Sequence, residues 1–106
     1  MNPQRITAFF RYGHLEVAKY LVEQGANVSS KSIGNFQPVH VAAQYGHFDV
    51  LKYLVDGEGA DPSAGNVRNE TALIFASGGG HLNIVKWLID DKECEVVSDR
   101  TLFLTE

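Results

Sequence analysis

Hydrophobic and polar residues follow the same order at three places along the chain. The segments GHLEVAKYL, GHFDVLKYL and GHLNIVKWL begin at Gly13, Gly46 and Gly80, which are 33 and 34 residues apart. Within each copy the apolar residues recur at i, i+4 and i+5, the spacing of one face of an α-helix. These residues are Val17, Leu21 and Val22, then Val50, Leu54 and Val55, then Ile84, Leu88 and Ile89. The pattern predicts three amphipathic helices in a stack of repeats, each burying its apolar face against a neighbour.

The polar side of these predicted helices is repeated as well. A lysine stands at one register in every copy and an acidic residue follows four positions later. These residues are Lys19, Lys52 and Lys86, with Glu23, Asp56 and Asp90. Such pairs contribute only a few tenths of a kcal/mol on a helix surface, about 0.2–0.5 each. We therefore interpret them as the solvent-exposed face.

A second, shorter helix is predicted upstream of the Gly-His pairs. In QPVHVAAQYGH, Pro38 suits the first helical position, where its missing N–H forms no intrahelical bond. In NETALIFASGGGH, Thr71 is a good N-cap because its hydroxyl can accept from the free amides of the first turn. Both segments carry a small pair, Ala42-Ala43 and Ala76-Ser77. Small residues there predict that these inner helices approach their neighbours closely.

These segments together resemble the ankyrin repeat family, whose pattern is approximately D-x-x-G-x-T-P-L-H-x-A-A-x-x-G-H-x-x-I-V-x-x-L-L-x-x-G-A-D. The likeness is fullest in QPVHVAAQYGHFDVLKYLVDGEGAD, followed by TALIFASGGGHLNIVKWLI and YGHLEVAKYLVEQGANV, and it covers residues 4–98. It implies an all-α solenoid of stacked helix-turn-helix pairs with hairpin-like loops, concave on the side of the loop tips and inner helices. We expect one domain over residues 1–106, with repeats at 1–31, 32–65 and 66–98 and a degenerate C-terminal end at 99–106.

The chain departs from that pattern in its second half. VDGEGAD holds one extra residue, for which we expect a bulged loop. Gly25 and Gly59 can supply the left-handed conformation that ends a helix, but DDKECEV has no such glycine. The closing TLFLTE either folds back as a partial cap or exposes Leu102, Phe103 and Leu104, which would then promote association.

Composition narrows the function classes further. The chain has 106 residues, 44% hydrophobic and 21% charged, which fits one small domain. Its net charge of −4, without a basic run, argues against nucleic acid or an anionic membrane as a partner. A single cysteine, no secretory h-region and no apolar run near ~20 residues lead us to expect a soluble intracellular protein, cytoplasmic or nuclear.

Candidate catalytic or metal-binding groups are few. His14, His47 and His81 occupy equivalent positions, about 10 Å apart in a stack of helix pairs, whereas ligands of one metal ion lie within about 2 Å of it. We interpret them as bridges to loop backbone between repeats, and His40 as part of the inner-helix motif. GGGH lacks the Walker spacing, so it is interpreted as a turn. Cys94 fills the alanine position of the GAD motif, and we expect a small, partly buried thiol. The sequence predicts no enzyme, metal or cofactor.

A recognition surface remains. By resemblance, partner contacts come from the loop tips and from the two residues before Gly-His. The candidate residues are Arg11, Tyr12, Gln44 and Tyr45 at the helix ends, with the side-chain-free pair Gly78-Gly79 in the third copy, and Ile33, Phe36, Val67, Arg68 and Glu70 at the tips. Aromatic residues and arginine are enriched in binding hot spots. Phe36 stands out because a loop tip offers little core to bury it.

We therefore expect a protein-interaction module whose concave face binds a partner protein or peptide, with no nucleic acid or membrane partner. The chain itself is expected to be monomeric. The alternative is a structural fragment of a longer array that self-associates weakly through its exposed C-terminal end. Concentration-dependent size in light scattering would favour the fragment, and substitutions on the concave face would leave that size unchanged.

Overall fold

The computed structural model describes residues 10–95, which contain five α-helices, one 3₁₀ turn, one π-helical turn and no strand. The helices are α1 (Leu15–Glu23), α2 (Pro38–Gln44), α3 (Phe48–Lys52), α4 (Ala72–Gly79) and α5 (Leu82–Asp90). A 3₁₀ turn at Ile33–Asn35 precedes α2. The short inner helices α2 and α4 alternate with the outer helices α1, α3 and α5, as the three sequence copies predict.

The inner helices begin where the sequence predicts them to begin. Pro38 is the first residue of α2, and the preceding Gln37 is extended. Thr71 is the N-cap of α4, and its hydroxyl oxygen accepts from the amide of Ile74 at 3.4 Å. Both predicted helix starts are therefore confirmed.

Small residues let α2 and α4 pack directly on each other. Ala42, Ala43, Ala72 and Ala76 are all inaccessible to solvent. The outer layer completes the core with larger side chains, namely Val50 and Leu51 from α3, Leu54 from the turn that follows α3, and Ile84 and Leu88 from α5. The core thus runs along the stack between the inner and outer layers, as expected for repeats that bury apolar faces on one another.

The extra residue of the second repeat lies inside the helix rather than in the loop. Helix α3 continues as a π-helical turn at Tyr53–Gly57, closed by the bond from the Glu58 amide to the Tyr53 carbonyl oxygen at 3.1 Å. The expectation of a bulged loop was therefore wrong. A π turn takes up one additional residue, which keeps Leu54 and Val55 buried.

The third repeat ends without glycine. Glu93 occupies the position of Gly25 and Gly59 and has the same left-handed backbone, with φ of 54°. The next residue, Cys94, is buried and donates its amide to the Leu88 carbonyl oxygen at 2.9 Å, as Ala60 does to Leu54. Lys92 forms a salt bridge to Asp56 of the preceding repeat. The buried thiol is confirmed, and contacts to the second repeat hold a strained residue in place.

The predicted outer face is exposed at Lys19, Lys52 and Lys86. One residue of the predicted apolar stripe differs, because Val17 is 51% exposed whereas Val50 and Ile84 are inaccessible. Val17 belongs to the first outer helix, so fewer neighbours cover it. Within residues 10–95 no helix has the length and apolarity needed to cross a membrane. The C-terminal end at 99–106, with Leu102, Phe103 and Leu104, lies outside the described residues.

Candidate partner-binding surface

Two histidines connect the ends of the inner helices between repeats. Nε2 of His47 lies 2.6 Å from the carbonyl oxygen of Arg11, and Nε2 of His81 lies 3.0 Å from that of Gln44. Because a carbonyl oxygen only accepts, Nε2 carries the hydrogen in both rings. This confirms the predicted bridging role for these two histidines, whereas His14 of the first repeat is exposed.

Glycine is required for these bridges. An ideal Cβ on Gly13 would lie 2.3 Å from Nδ1 of His47, and one on Gly46 would lie 2.6 Å from Cε1 of His81. Both glycines also have positive φ, 72° and 76°. Each Gly-His pair therefore fixes the position of the residues just before it, which are the candidate binding residues.

Arg11, Tyr12 and Tyr45 form one exposed group, called here the tyrosine patch. The Arg11 guanidinium donates to the Tyr12 hydroxyl at 3.1 Å and lies 5.2 Å from the centre of that ring. The Tyr12 hydroxyl, and more weakly that of Tyr45, raises the pKa of the Arg11 guanidinium. Tyr12 is 59% and Tyr45 47% exposed. These three side chains therefore lie together at the surface, where the first and second repeats meet.

The tyrosine patch packs on His47, which forms the hydrogen bond between the first two repeats (the histidine bridge). The Tyr45 ring stacks on His47 with 6.4 Å between ring centres and 19° between planes. Because His47 also donates to the Arg11 carbonyl, one imidazole contacts both repeats that contribute to the patch. The patch is thus supported from behind while its outer surface stays in solvent.

The row of tyrosines stops at the third repeat. Gly78 and Gly79 stand where the first two repeats have Arg11-Tyr12 and Gln44-Tyr45. A Cβ on Gly79 would lie 2.6 Å from Nε2 of His81 and 3.0 Å from the Gln44 carbonyl oxygen. Here the His81 imidazole occupies the space that a side chain at position 79 would take, so the third repeat presents no tyrosine beside Tyr45.

The loop tips form a second exposed surface, joined by backbone. The Val67 amide donates to the Gly34 carbonyl oxygen at 3.0 Å, which links the second and third repeats. Ile33 and Val67 occupy equivalent positions beside this bond, and both side chains are exposed. The two aliphatic residues therefore extend outward from neighbouring tips, as predicted.

Asn66 organises the third-repeat tip, a role that our sequence analysis missed. Its Oδ1 accepts from the amides of Arg68 and Glu70 at 2.9 and 3.0 Å, and its Nδ2 donates to the Glu70 carboxylate at 3.0 Å. Asn66 is buried, and Glu70 is half-buried by this contact. The position of Asn66 in the sequence could have indicated this role. Asn66 occupies the D position of the D-x-x-G pattern, where a short polar side chain can bond to the backbone two to four residues ahead.

Phe36 differs from the expectation that it would project freely. Its ring is half-buried, 5.4 Å from that of Phe75 and 6.0 Å from that of His40. The neighbouring inner helix thus supplies the cover that the isolated loop lacks. Phe36 supports the loop tip and offers only part of its ring to a partner.

His40 is a buried polar residue of the second repeat. Nδ1 accepts from the Gln37 amide at 2.9 Å, so Nε2 carries the proton and donates to the Ala64 carbonyl oxygen at 2.7 Å. Burial lowers the pKa of His40, and the bond to Ala64 opposes that effect only partly. The neutral imidazole therefore ties the start of α2 to the following loop.

The remaining reactive groups are dispersed. Within residues 10–95 no three His, Cys, Asp or Glu side chains come together in a group able to hold a metal ion. The Cys94 thiol lies 3.6 Å from the Ser63 hydroxyl. Gly80 closes α4 in the left-handed conformation, so GGGH is a helix-ending turn.

Comparison with known proteins identifies a family. A family model of ankyrin repeats, in three copies, matches residues 6–100. No curated protein matches the chain significantly. The family match includes every residue of the tyrosine patch and of the loop tips.

Proposed function

Because this chain belongs to the ankyrin repeat family, whose members are generally protein-protein interaction modules, we propose that it binds a protein or peptide partner on its concave face. The fold alone does not fix a partner, since one scaffold carries many functions. The proposal therefore depends on the residues that the repeats present. The tyrosine patch is the observation that carries it.

The tyrosine patch has the features of a binding anchor. Tyr12 and Tyr45 are large, exposed rings with few rotatable bonds, so ordering them on binding costs little entropy. Arg11 lies between their hydroxyls and keeps donors available for a partner's acceptors. Tyrosine and arginine are among the residues that contribute most to interface energy. Gln44, also exposed, continues the patch beside Tyr45.

The loop tips supply the second half of the proposed surface. Ile33 and Val67 offer apolar contact, while Arg68 and Glu70 offer polar contact at its edge. Phe36 contributes from a supporting position beneath the tips. An extended segment lying across several repeats would then place apolar side chains on the tips and acceptors near Arg11.

The same proposal assigns no catalysis to the chain. The ankyrin repeat family is generally non-enzymatic. The titratable groups next to the candidate surface have structural roles, as His40 and His47 show through their bonds to carbonyl oxygens. Binding, without turnover, is therefore the activity that we propose.

Affinity capture from a lysate of the source cell, with identification by mass spectrometry, tests the proposal. The native chain is compared with Tyr45→Ser and with Tyr20→Ser as a matched control, since Tyr20 is an exposed tyrosine on α1. Thermal melting first verifies that both variants are folded. We expect a protein that is retained by the native chain and by Tyr20→Ser but lost with Tyr45→Ser. The same retained proteins with all three baits would contradict the concave-face proposal.

A further inference from the structure

The two ends of the described stack each expose an outer-helix side chain that is covered in the interior. Tyr20 on α1 is 60% exposed, while Trp87, the residue at its position in the third repeat, is 8% exposed. Leu82 on α5 is 63% exposed, and its second-repeat equivalent Phe48 is half-buried. Each end therefore shows an apolar residue of the kind that the interior covers with the adjacent repeat.

The interior shows how those two positions fit together. Phe48 of the second repeat contacts Trp87 of the third edge to face, with 5.5 Å between ring centres. Phe48 is equivalent to Leu82, and Trp87 is equivalent to Tyr20. Leu82 and Tyr20, exposed at opposite ends, thus occupy the positions whose equivalents, Phe48 and Trp87, contact each other inside the chain.

A cation–π contact also joins the outer helix of one repeat to the next repeat, and its equivalents are again found at the two ends. The Lys19 ammonium of the first repeat lies 5.8 Å from the ring centre of Tyr53 in the second. Lys86 of the third repeat is equivalent to Lys19, and Tyr20 is equivalent to Tyr53. Lys86 is exposed next to Leu82 on the same helix. The C-terminal end therefore offers a cation as well as an apolar side chain to an aromatic ring.

The histidine bridge supplies a polar contact between successive repeats. In the interior, His47 and His81 donate to the carbonyl oxygen located three residues before the equivalent histidine of the preceding repeat. The corresponding groups at the ends are His14, which is exposed, and the carbonyl of Gly78, also an exposed residue. The two ends are thus complementary in apolar, cationic and hydrogen-bonding positions.

We propose that the first repeat of one copy stacks on the third repeat of a second copy, repeating the interior spacing across the junction. In this arrangement Tyr20 of one molecule packs on Leu82 and Lys86 of the other. The contact is heterologous, because different surfaces of the two copies meet, and it leaves a free end on each molecule. Association is therefore open-ended. It does not use the tyrosine patch.

Sedimentation velocity over a broad concentration range tests this inference. The native chain is expected to increase in average mass beyond a dimer as concentration rises. Tyr20→Glu and Leu82→Glu place a charge in the junction, and each is expected to weaken association by about tenfold or more. Tyr45→Glu is the control and is expected to associate as the native chain does. Circular dichroism melting verifies that the variants are folded, which their exposed positions favour.

Mixing the two junction variants is the decisive step. Tyr20→Glu retains a native C-terminal end and Leu82→Glu retains a native N-terminal end, so an equimolar mixture is expected to form a one-to-one dimer that grows no further. A native chain that stays monomeric at every concentration would overturn the proposal. So would a mixture no heavier than either variant alone, or junction variants that associate as strongly as the native chain.

Discussion

The interior and the ends of this repeat stack place similar residues in opposite surroundings. Val50 is fully buried in the second repeat, whereas Val17 at the same register of the first is half exposed. Trp87 packs on the preceding outer helix, whereas Tyr20 at the equivalent position lies in solvent. The segments are similar in sequence, so the difference comes from their neighbours.

This comparison shows where the stability of the chain resides. A repeat contacts only adjacent repeats, so its stability depends on the interfaces it makes as well as on its own helices. The aromatic, histidine and backbone contacts between repeats all join consecutive copies. Substitutions at equivalent positions should therefore have unequal costs in the interior and at the ends.

The largest difference is expected between Trp87→Ala and Tyr20→Ala. Removing the buried indole leaves a cavity against Phe48, and we expect a loss of about 3–5 kcal/mol in the free energy of unfolding. Replacing the exposed Tyr20 should change the free energy of unfolding by no more than about 0.5 kcal/mol. Urea denaturation at low protein concentration measures both values. Losses of equal size would show that burial by neighbours is not the determining factor.

A smaller difference separates Gly46→Ala from Gly59→Ala. Both residues have φ of 76°, so alanine incurs a left-handed backbone strain of about 1–2 kcal/mol at either site. Only Gly46 also lies against His81, where the new Cβ would break the bridge to Gln44, while Gly59 has open space. We expect Gly46→Ala to lower the unfolding free energy by about 1 kcal/mol more. If chemical denaturation gives the same value for both, the histidine bridge contributes nothing.

His40 provides a pH test of the interior of the second repeat. Burial lowers the pKa of His40 in the folded protein from its ordinary value of 6.5. At a pH below 6.5 the unfolded chain therefore binds a proton at His40 more readily than the folded chain does. The free energy of unfolding should therefore fall as pH decreases through and below 6.5. His40→Gln should be less stable at neutral pH and show a shallower slope over the same window. An unchanged slope, measured by urea denaturation at several pH values, would exclude His40 as the cause.

The smallest expected effect is a gain in stability at the end of the third repeat. Glu93 has φ of 54° where the other repeats use glycine, so Glu93→Gly should remove strain. Glycine also makes the unfolded chain more flexible, which offsets part of the gain. We expect the free energy of unfolding to increase by about 0.5 kcal/mol or more. Thermal unfolding of this variant beside the native protein measures it. A decrease would mean that the Glu93 side chain stabilises the turn despite its backbone.

The features that could be predicted from the sequence are those encoded within one repeat or by the repeat period. The helix start at Pro38 and the cap at Thr71 follow from local chemistry. The bridging roles of His47 and His81 follow from the period, because equivalent residues of adjacent copies face each other. The all-α solenoid likewise needed only the repeated pattern and the resemblance it supports.

Apart from the hydrogen bonds of Asn66, which lie within one loop tip, the features that were missed depend on packing against the rest of the stack. Phe36 projects from its own loop, and its ring is half-buried beside Phe75 of the adjacent repeat and His40 of its own repeat. Nothing in VDGEGAD distinguishes a bulged loop from a π turn, because the choice depends on keeping Leu54 and Val55 in the core. Val17 fits the apolar stripe, but its position at the end of the stack leaves it uncovered.

Site-specific photo-crosslinking in the source cell tests the central claim most directly. A benzoyl-phenylalanine is placed at position 45 in the tyrosine patch and, in a separate variant, at position 52 on the exposed side of α3. Both sites belong to the second repeat, so the comparison separates the concave face from the outer face. We predict an adduct with another protein from position 45 and none from position 52. Adducts from position 52 alone, or no adduct from position 45, would contradict partner binding on the concave face.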